Sequence, residues 1–204
     1  MKIISGEPTR QEPGTEYMIL PSAFTHCCLT LRYRNSQMLQ KATANIGKHI
    51  GKYVEADEAP AVDVQGDKIG WIDLGSQFDQ IQLENALKKV KEKIIEKQIS
   101  IKDIIVLIDK DFYEVKRYRL VCESTLRGGG HNWDKLDILD ERLFHGCERN
   151  TVVYIGAGHL EAFTRAQVNL FVITIAVSKK SEHWYQSYKD ALEQEIKENT
   201  VFKI

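Results

Sequence analysis

The amino-acid sequence predicts an α/β fold, a three-layer arrangement with helices on both faces of a mostly parallel β-sheet. Short runs rich in β-branched and aromatic residues alternate along the chain with longer segments of helical periodicity. Repeated strand-then-helix order is typical of parallel sheets joined by right-handed crossovers. Residues 104–108 are all aliphatic, which is the pattern of a strand buried on both faces.

The length and composition are those of a globular protein that builds its own core. The chain has 204 residues, 43% of them hydrophobic, and its 28 basic and 29 acidic side chains give a net charge of -1. These values exclude wholesale disorder and argue against a strongly basic protein that binds nucleic acid or a membrane surface. The longest apolar runs are about half as long as a membrane-spanning helix. We therefore expect an intracellular protein, cytoplasmic or nuclear, without a membrane partner.

The amino-terminal region predicts a leader or linker followed by one domain. Residues 1–22 contain glycines and prolines without apolar periodicity, a composition typical of irregular segments. We assign residues 23–204 to a single domain. Its first predicted elements are a strand at residues 27–33, a helix at 37–53 and a strand at 69–74.

The next helix is predicted from a cap and a hydrophobic period. Ser76, with Asp79 three residues later, has the spacing of a helix N-cap. Five apolar side chains then follow a 3.6-residue period: Phe78, Leu83, Leu87, Val90 and Ile94. We expect this face to lie against the sheet, with the lysines of the helix in water.

The alternation of strands and helices continues to the end of the chain. The predicted elements are a strand at residues 103–109, a short helix at 112–123, strands at 136–139 and 151–155, a short helix at 160–167, a strand at 170–177 and a helix at 181–198. In the last helix, apolar side chains recur at steps of four, and we expect all of them to pack on the sheet: Trp184, Tyr188, Leu192 and Ile196.

Several short motifs are better explained by structure than by ligand binding. Gly156 and Gly158 separate a predicted strand from a helix, but Glu161 stands where a dinucleotide fingerprint needs glycine, and its carboxylate would repel a pyrophosphate. A tight strand-to-helix turn explains these glycines better. Cys27 and Cys28 are adjacent, so on a strand they point to opposite faces, and we predict no metal site there.

Three segments resemble motifs of superfamily 1 helicases of the UvrD/Rep type. Residues 29–36, Leu-Thr-Leu-Arg-Tyr-Arg-Asn-Ser before a helix, resemble motif IV. Residues 143–156, which lead into a buried strand, resemble motif V, and residues 163–173, with Phe-Thr-Arg-Ala before the last core strand, resemble motif VI. The order of the motifs is that of the family, and the resemblance covers roughly residues 29–174. It implies that residues 23–204 are a diverged second, carboxyl-terminal RecA-like domain.

The resemblance also implies half of a nucleotide site. Arg34 and Arg165 match the two phosphate-sensing arginines of the family, a role suited to the planar, always-charged guanidinium. Tyr33, Gly146 and Glu148 match nucleotide-binding positions, where the glutamate approaches the ribose and the glycine lets the backbone come close to the nucleotide.

A contact with single-stranded nucleic acid is implied for two further residues, Asn35 and Arg142. The sequence around Arg142 also departs from the family. Asp140 and Arg142 occupy the places of the family's Thr-x-His stretch, and His145 replaces a lysine. An aspartate that faces a phosphodiester is repulsive. The departure argues against movement along nucleic acid.

In the family, the phosphate loop and the metal-binding acidic motif lie on a first RecA-like domain, and this sequence contains no phosphate loop. We therefore expect no ATPase activity from the chain alone, because ATP and Mg²⁺ would bind only with a partner P-loop domain, in cis or in trans. The alternative is a degenerate helicase half that acts as a non-catalytic interaction module, or as a nucleic-acid-binding module with a basic face of Arg32, Arg34, Lys41, Lys48 and Lys52.

Overall fold

All six strands of the sheet run parallel. The computed structural model describes residues 35–52, 66–128, 132–144, 147–176 and 178–204. The strands are β1 (Ile69–Gly75), β2 (Ile104–Ile108), β3 (Asp137–Asp140), β4 (Arg149–Gly156), β5 (Ala166–Ile175) and β6 (Val201–Lys203). Their spatial order is β3-β2-β4-β5-β1-β6.

Helices cover both faces of this sheet. They are α1 (Gln37–His49), α2 (Gln80–Glu96), α3 (Lys110–Tyr113), α4 (Lys116–Arg127), α5 (Leu160–Phe163) and α6 (Lys179–Lys197). One apolar core, which includes Leu39, Phe163 and Leu192, lies between the sheet and α1, α5 and α6. A second core, which includes Leu87 and Leu126, lies under α2, α3 and α4. The predicted three-layer α/β fold is confirmed.

Most of the predicted strands are confirmed with small shifts at their ends. Strand β2 is buried along its whole length and pairs with β4 from Ile104 opposite Thr151 to Ile108 opposite Ile155. The three-residue strand β6, which pairs with β1, was not predicted from the sequence because it is too short to show a period. The predicted leader at 1–22 and the strand at 27–33 lie outside the described residues.

The predicted cap of α2 is wrong. The helix begins at Gln80, and its N-cap is Asp79 rather than Ser76. The Asp79 carboxylate accepts a hydrogen bond of 2.7 Å from the backbone N–H of Gln82, and the Gln82 side chain accepts one of 2.8 Å from the N–H of Asp79. This reciprocal pair satisfies two N–H groups that the Ser76 start would leave open. Phe78 precedes the helix.

Two predicted helices differ from those observed, one by division and one by a shorter length. The helix predicted at 112–123 is divided into α3 and α4, because Val115 has an extended backbone with ψ of 90°. The helix predicted at 160–167 ends at Phe163, and Gln167 belongs to β5. Strand β5 begins early because Ala166 pairs with Arg149, which extends the ladder beyond the apolar run.

The last helix packs on the sheet with part of its predicted face. Tyr188 and Leu192 are buried and Ile196 packs against the same core, but the Trp184 side chain is 44% exposed. The expectation for Trp184 is therefore wrong. The tryptophan belongs to the amino-terminal part of α6, and it lines a cleft beyond the sheet instead of covering the strands.

Candidate functional site

Residues from each of the three segments that resemble helicase motifs lie at the amino-terminal ends of β4 and β5. Arg149 pairs with Ala166 where the two strands begin, and the Arg149 N–H donates a hydrogen bond of 3.1 Å to the Arg165 carbonyl. The residues just before the strands, Glu148 and Arg165, therefore lie at the same edge of the sheet. We call the group of Asn35, Glu148, Arg165 and Gln167 the amino-edge cluster.

Asn35 fastens the start of α1 to this edge. Its side chain is almost completely buried, and its amide donates hydrogen bonds of 2.9 Å to the Thr164 carbonyl and 2.5 Å to the Ala166 carbonyl. The Ser36 N–H donates a further bond of 2.7 Å to the Gln167 carbonyl. These contacts join segments 129 to 131 residues apart. The Asn35 amide binds the chain's own backbone.

Glu148 is held at the same edge by a side-chain contact. The Gln167 amide donates a hydrogen bond of 3.2 Å to a Glu148 carboxylate oxygen. This contact joins the segment that resembles motif V to the segment that resembles motif VI. The predicted nucleotide-binding residues Tyr33 and Gly146, and the predicted arginine Arg34, lie outside the described residues.

Arg165 is buried and paired within the chain. The residue is 5% exposed, and its Nη2 lies 2.6 Å from Oε1 of Glu161, four residues earlier in α5. A buried guanidinium needs such a counter-charge, because an unpaired charge away from water is costly. The structure therefore gives the predicted phosphate-sensing arginine a carboxylate as its partner.

Arg142 lies far from the amino-edge cluster. It follows β3, at the carboxyl-terminal edge of the sheet, and the eight-residue strand β4 separates the two edges by about 23 Å. The structure therefore does not bring Asn35 and Arg142 together, although both were predicted to contact nucleic acid.

The Arg142 guanidinium forms ion pairs with carboxylates of the same chain. Its Nε lies 2.9 Å from Oδ1 of Asp140, its Nη2 bonds the other Asp140 oxygen, and Glu114 lies 3.8 Å away. Hydrogen bonds from Arg142 hold the pKa of Asp140 below its usual range, and the same contact raises the pKa of Arg142. These carboxylates neutralise the positive charge of Arg142 that would otherwise attract a nucleic-acid phosphate.

A cleft of about 320 Å³ lies at the carboxyl-terminal edge of the sheet. We call it the carboxyl-edge cleft; residues that line it include Lys52, Asp109, Glu141, Gly158, His159 and Trp184. Strand β2 continues through α4 to β3, whereas β4 continues through α5 on the opposite face to β5. Such a switch point, where neighbouring connections leave in opposite directions, is the usual place for ligands in open α/β sheets.

This cleft was not predicted from the sequence, although one signal for it was present. Asp109 and Asp111 follow the buried strand β2, and acidic side chains at a strand's carboxyl end mark the edge where ligands bind. The position of Glu141 and His159 opposite Asp109 depends on the strand order, which the sequence pattern does not contain.

Two groups of the cleft, Asp109 and His159, have raised pKa values. Burial and the nearby Glu141 charge raise the pKa of Asp109, although the Asp111 N–H donates to its carboxylate at 2.8 Å. Burial alone would lower the pKa of His159, but the Glu141 carboxylate outweighs it and raises that pKa. Groups with shifted pKa values that face one cleft can hold and transfer a proton.

The turn predicted at Gly156 and Gly158 is confirmed. A Cβ on Gly156 would lie 2.2 Å from the Asp109 Cβ, and one on Gly158, whose φ is +118°, would lie 2.2 Å from Cγ of Tyr188. These two positions therefore require glycine for close packing and backbone conformation.

No known protein family matches this chain, and no curated protein is significantly similar to it. Within the described ranges, no three His, Cys, Asp or Glu side chains are arranged to hold a metal ion. Among the helices of the described residues, none has the length and apolar character needed to cross a bilayer.

Proposed function

We propose that residues 23–204 are the second RecA-like half of a superfamily 1 helicase-like ATPase and contribute arginines to ATP held by a P-loop domain. The observation that supports this proposal is the amino-edge cluster. Asn35, Glu148 and Arg165 come from three segments that resemble motifs IV, V and VI, and hydrogen bonds join these segments at one sheet edge. A shared nucleotide site requires such convergence.

Three members of the cluster have a chemical role in this proposal. The Arg165 guanidinium stabilises the charge that develops on the γ-phosphate, since it offers paired donors in a fixed plane. The Glu148 carboxylate accepts hydrogen bonds from the ribose hydroxyls. Asn35 is a positioning residue, because it fixes the backbone on both sides of Arg165.

The chain is proposed to be inactive alone. Magnesium supplies charge neutralisation at the β- and γ-phosphates when it is bound, and no three His, Cys, Asp or Glu side chains of the described residues are arranged to hold a metal ion. We therefore assign the metal and the phosphate loop to the partner domain, in cis or in trans. Single-stranded nucleic acid is a further partner in this proposal.

The test is ATP turnover by the polypeptide that contains this chain together with its P-loop domain, captured from its source with an antibody to the chain. The size of the captured polypeptide shows whether that domain lies in cis. Arg165→Ala should lower turnover by about 10³-fold or more, and Arg165→Lys should not restore it. Arg119→Ala, which removes an arginine on α4, is the matched control. Equal turnover by Arg165→Ala and the wild type would overturn the proposal.

A second candidate function is a non-catalytic interaction module. The burial of Arg165 and its pairing with Glu161 favour it, since both are ordinary features of a structural ion pair. In that case the Arg165→Ala protein loses stability but keeps any ATP turnover. Binding of single-stranded DNA by the chain, measured as a function of salt concentration, tests the nucleic-acid form of this candidate.

A further inference from the structure

We infer that Glu161 is a positioning residue that holds Arg165 in a withdrawn state until a nucleotide-bearing partner replaces it. The inference rests on the proposed function, because it concerns the control of the same arginine. It adds a residue that the helicase-like motifs do not include, since Glu161 precedes the segment that resembles motif VI, residues 163–173.

The geometry makes Glu161 the direct competitor of a phosphate. Its Oε1 lies 2.6 Å from Arg165 Nη2, and the Arg165 side chain is 6% exposed whereas that of Glu161 is 26% exposed. The carboxylate therefore lies on the solvent side of the pair. A carboxylate and a phosphate bind a guanidinium through the same planar donors, so a γ-phosphate would compete with Glu161 for the Nη2 donor of Arg165.

The backbone at Arg165 is fixed while this exchange takes place. Asn35 bonds the carbonyls of Thr164 and Ala166, and the Arg149 N–H donates to the Arg165 carbonyl. The Thr164 hydroxyl donates a bond of 2.8 Å to the Glu161 carbonyl, which also holds α5. The exchange of partners is therefore a side-chain rotation on a rigid frame.

The negative charge of Glu161 opposes the binding of a phosphate to Arg165. In the free chain, the buried guanidinium is stabilised by Glu161. When a phosphate takes the guanidinium, Glu161 is left beside another anion, and like charges repel. Glu161 therefore lowers the affinity for a free nucleotide, so that Arg165 responds to a phosphate that a partner domain already holds in place.

The experiment is a titration with Mg-ATP of the polypeptide that contains this chain together with its P-loop domain, followed by NMR of the backbone amides and of the Arg165 guanidinium. Four proteins are compared: the wild type, Glu161→Gln, Arg165→Ala and the double variant. Asp137→Asn is the matched control, because it removes a carboxylate at the same sheet edge that pairs with Arg149, at 3.4 Å, and not with Arg165.

The inference predicts that Glu161→Gln binds Mg-ATP about three- to tenfold more tightly than the wild type. The gain disappears when Arg165→Ala is added, and Asp137→Asn shows none of it. Without ATP, the guanidinium protons of Arg165 exchange slowly in the wild type and faster in Glu161→Gln, which reports release of the arginine itself.

The failures of the two proposals are distinguishable. If Arg165→Ala weakens ATP binding but Glu161→Gln leaves it unchanged, the role of Glu161 is overturned while the proposed function survives. If ATP perturbs none of the proteins at millimolar concentration, or perturbs them all equally, the proposed nucleotide role of Arg165 is overturned and the inference falls with it. Equal gains in affinity for Mg-ATP in Glu161→Gln and Asp137→Asn would mean that the effect comes from net charge alone, and would overturn the role of Glu161.

Discussion

His159 Nδ1 lies 3.3 Å from Glu141 Oε2 at the carboxyl-edge cleft, so a short loop after β4 meets a short helix after β3. Neither atom has a hydrogen-bond partner within the described part of the chain. Glu161 raises the pKa of His159 further, and Lys52 lowers it. The pair is therefore an electrostatic contact that depends on the protonation of the imidazole.

This contact predicts a pH-dependent stability. The pKa of His159 in the folded state is raised above its unfolded value of about 6.5. The stabilisation is fully present below about pH 6.5 and is lost as the pH rises through the folded-state pKa. Urea unfolding at a series of pH values should therefore show a fall in the free energy of unfolding in this window. The fall should disappear in both His159→Gln and Glu141→Gln; an unchanged slope would contradict the prediction.

Asp109→Asn is expected to stabilise the protein by about 1 kcal/mol at pH 7. Burial and Glu141 raise the pKa of Asp109, so the folded state loses stability as the pH rises from 3.8 through that raised value. An asparagine removes this cost and can still accept the bond from the Asp111 N–H. Thermal unfolding measures the change, and Asp103→Asn, at the other end of β2, is the control. A lower melting temperature for Asp109→Asn would refute the explanation.

Asn35→Ala should destabilise the protein by about 2 to 3 kcal/mol, because it leaves two carbonyl groups without their buried donor. Asn150→Ala removes the same amide from an exposed position in β4 and should change the free energy of unfolding by less than about 0.5 kcal/mol. Denaturant unfolding compares the two variants. Equal effects would mean that Asn35 does not fasten α1 to the sheet.

Tyr185→Phe tests how α6 is attached to the sheet. The Tyr185 hydroxyl donates a bond of 2.8 Å to Asp73, which also accepts a bond from Thr174 and pairs with Lys189 at 3.0 Å. Burial opposes ionisation of Asp73, but these partners outweigh it and lower its pKa. We expect Tyr185→Phe to cost about 1 to 1.5 kcal/mol.

The ion pair between Lys189 and Asp73 should contribute less to the free energy of unfolding than the hydrogen bond from Tyr185. Lys189 is partly exposed, so Lys189→Met should cost less than about 1 kcal/mol. Because the pKa of Asp73 is lowered in the folded state, the contribution of the network is lost as the pH falls through that pKa. Acid unfolding curves of the wild type and the two variants measure this loss, and a larger effect of Lys189→Met than of Tyr185→Phe would contradict the ranking.

The sequence by itself determined the fold class and the place of the long elements. The aliphatic run of β2 and the 3.6-residue period of α2 predict their own conformations, because a strand buried on both faces has a continuous apolar run and a helix buried on one face has an apolar period. Short elements have no such trace, which is why β6 and the division between α3 and α4 were missed. The choice of Asp79 over Ser76 as the cap depended on the reciprocal bond with Gln82.

Only the tertiary structure decided which candidate residues share a site. Asn35 and Arg142 were grouped by their motifs, yet parallel strands place them at opposite edges of the sheet. Asp109 faces Glu141 because β2 and β3 are neighbours in the sheet. The local sequence pattern indicates which residues of an element are buried. The distance between two elements depends on the strand order, β3-β2-β4-β5-β1-β6, which no local pattern predicts.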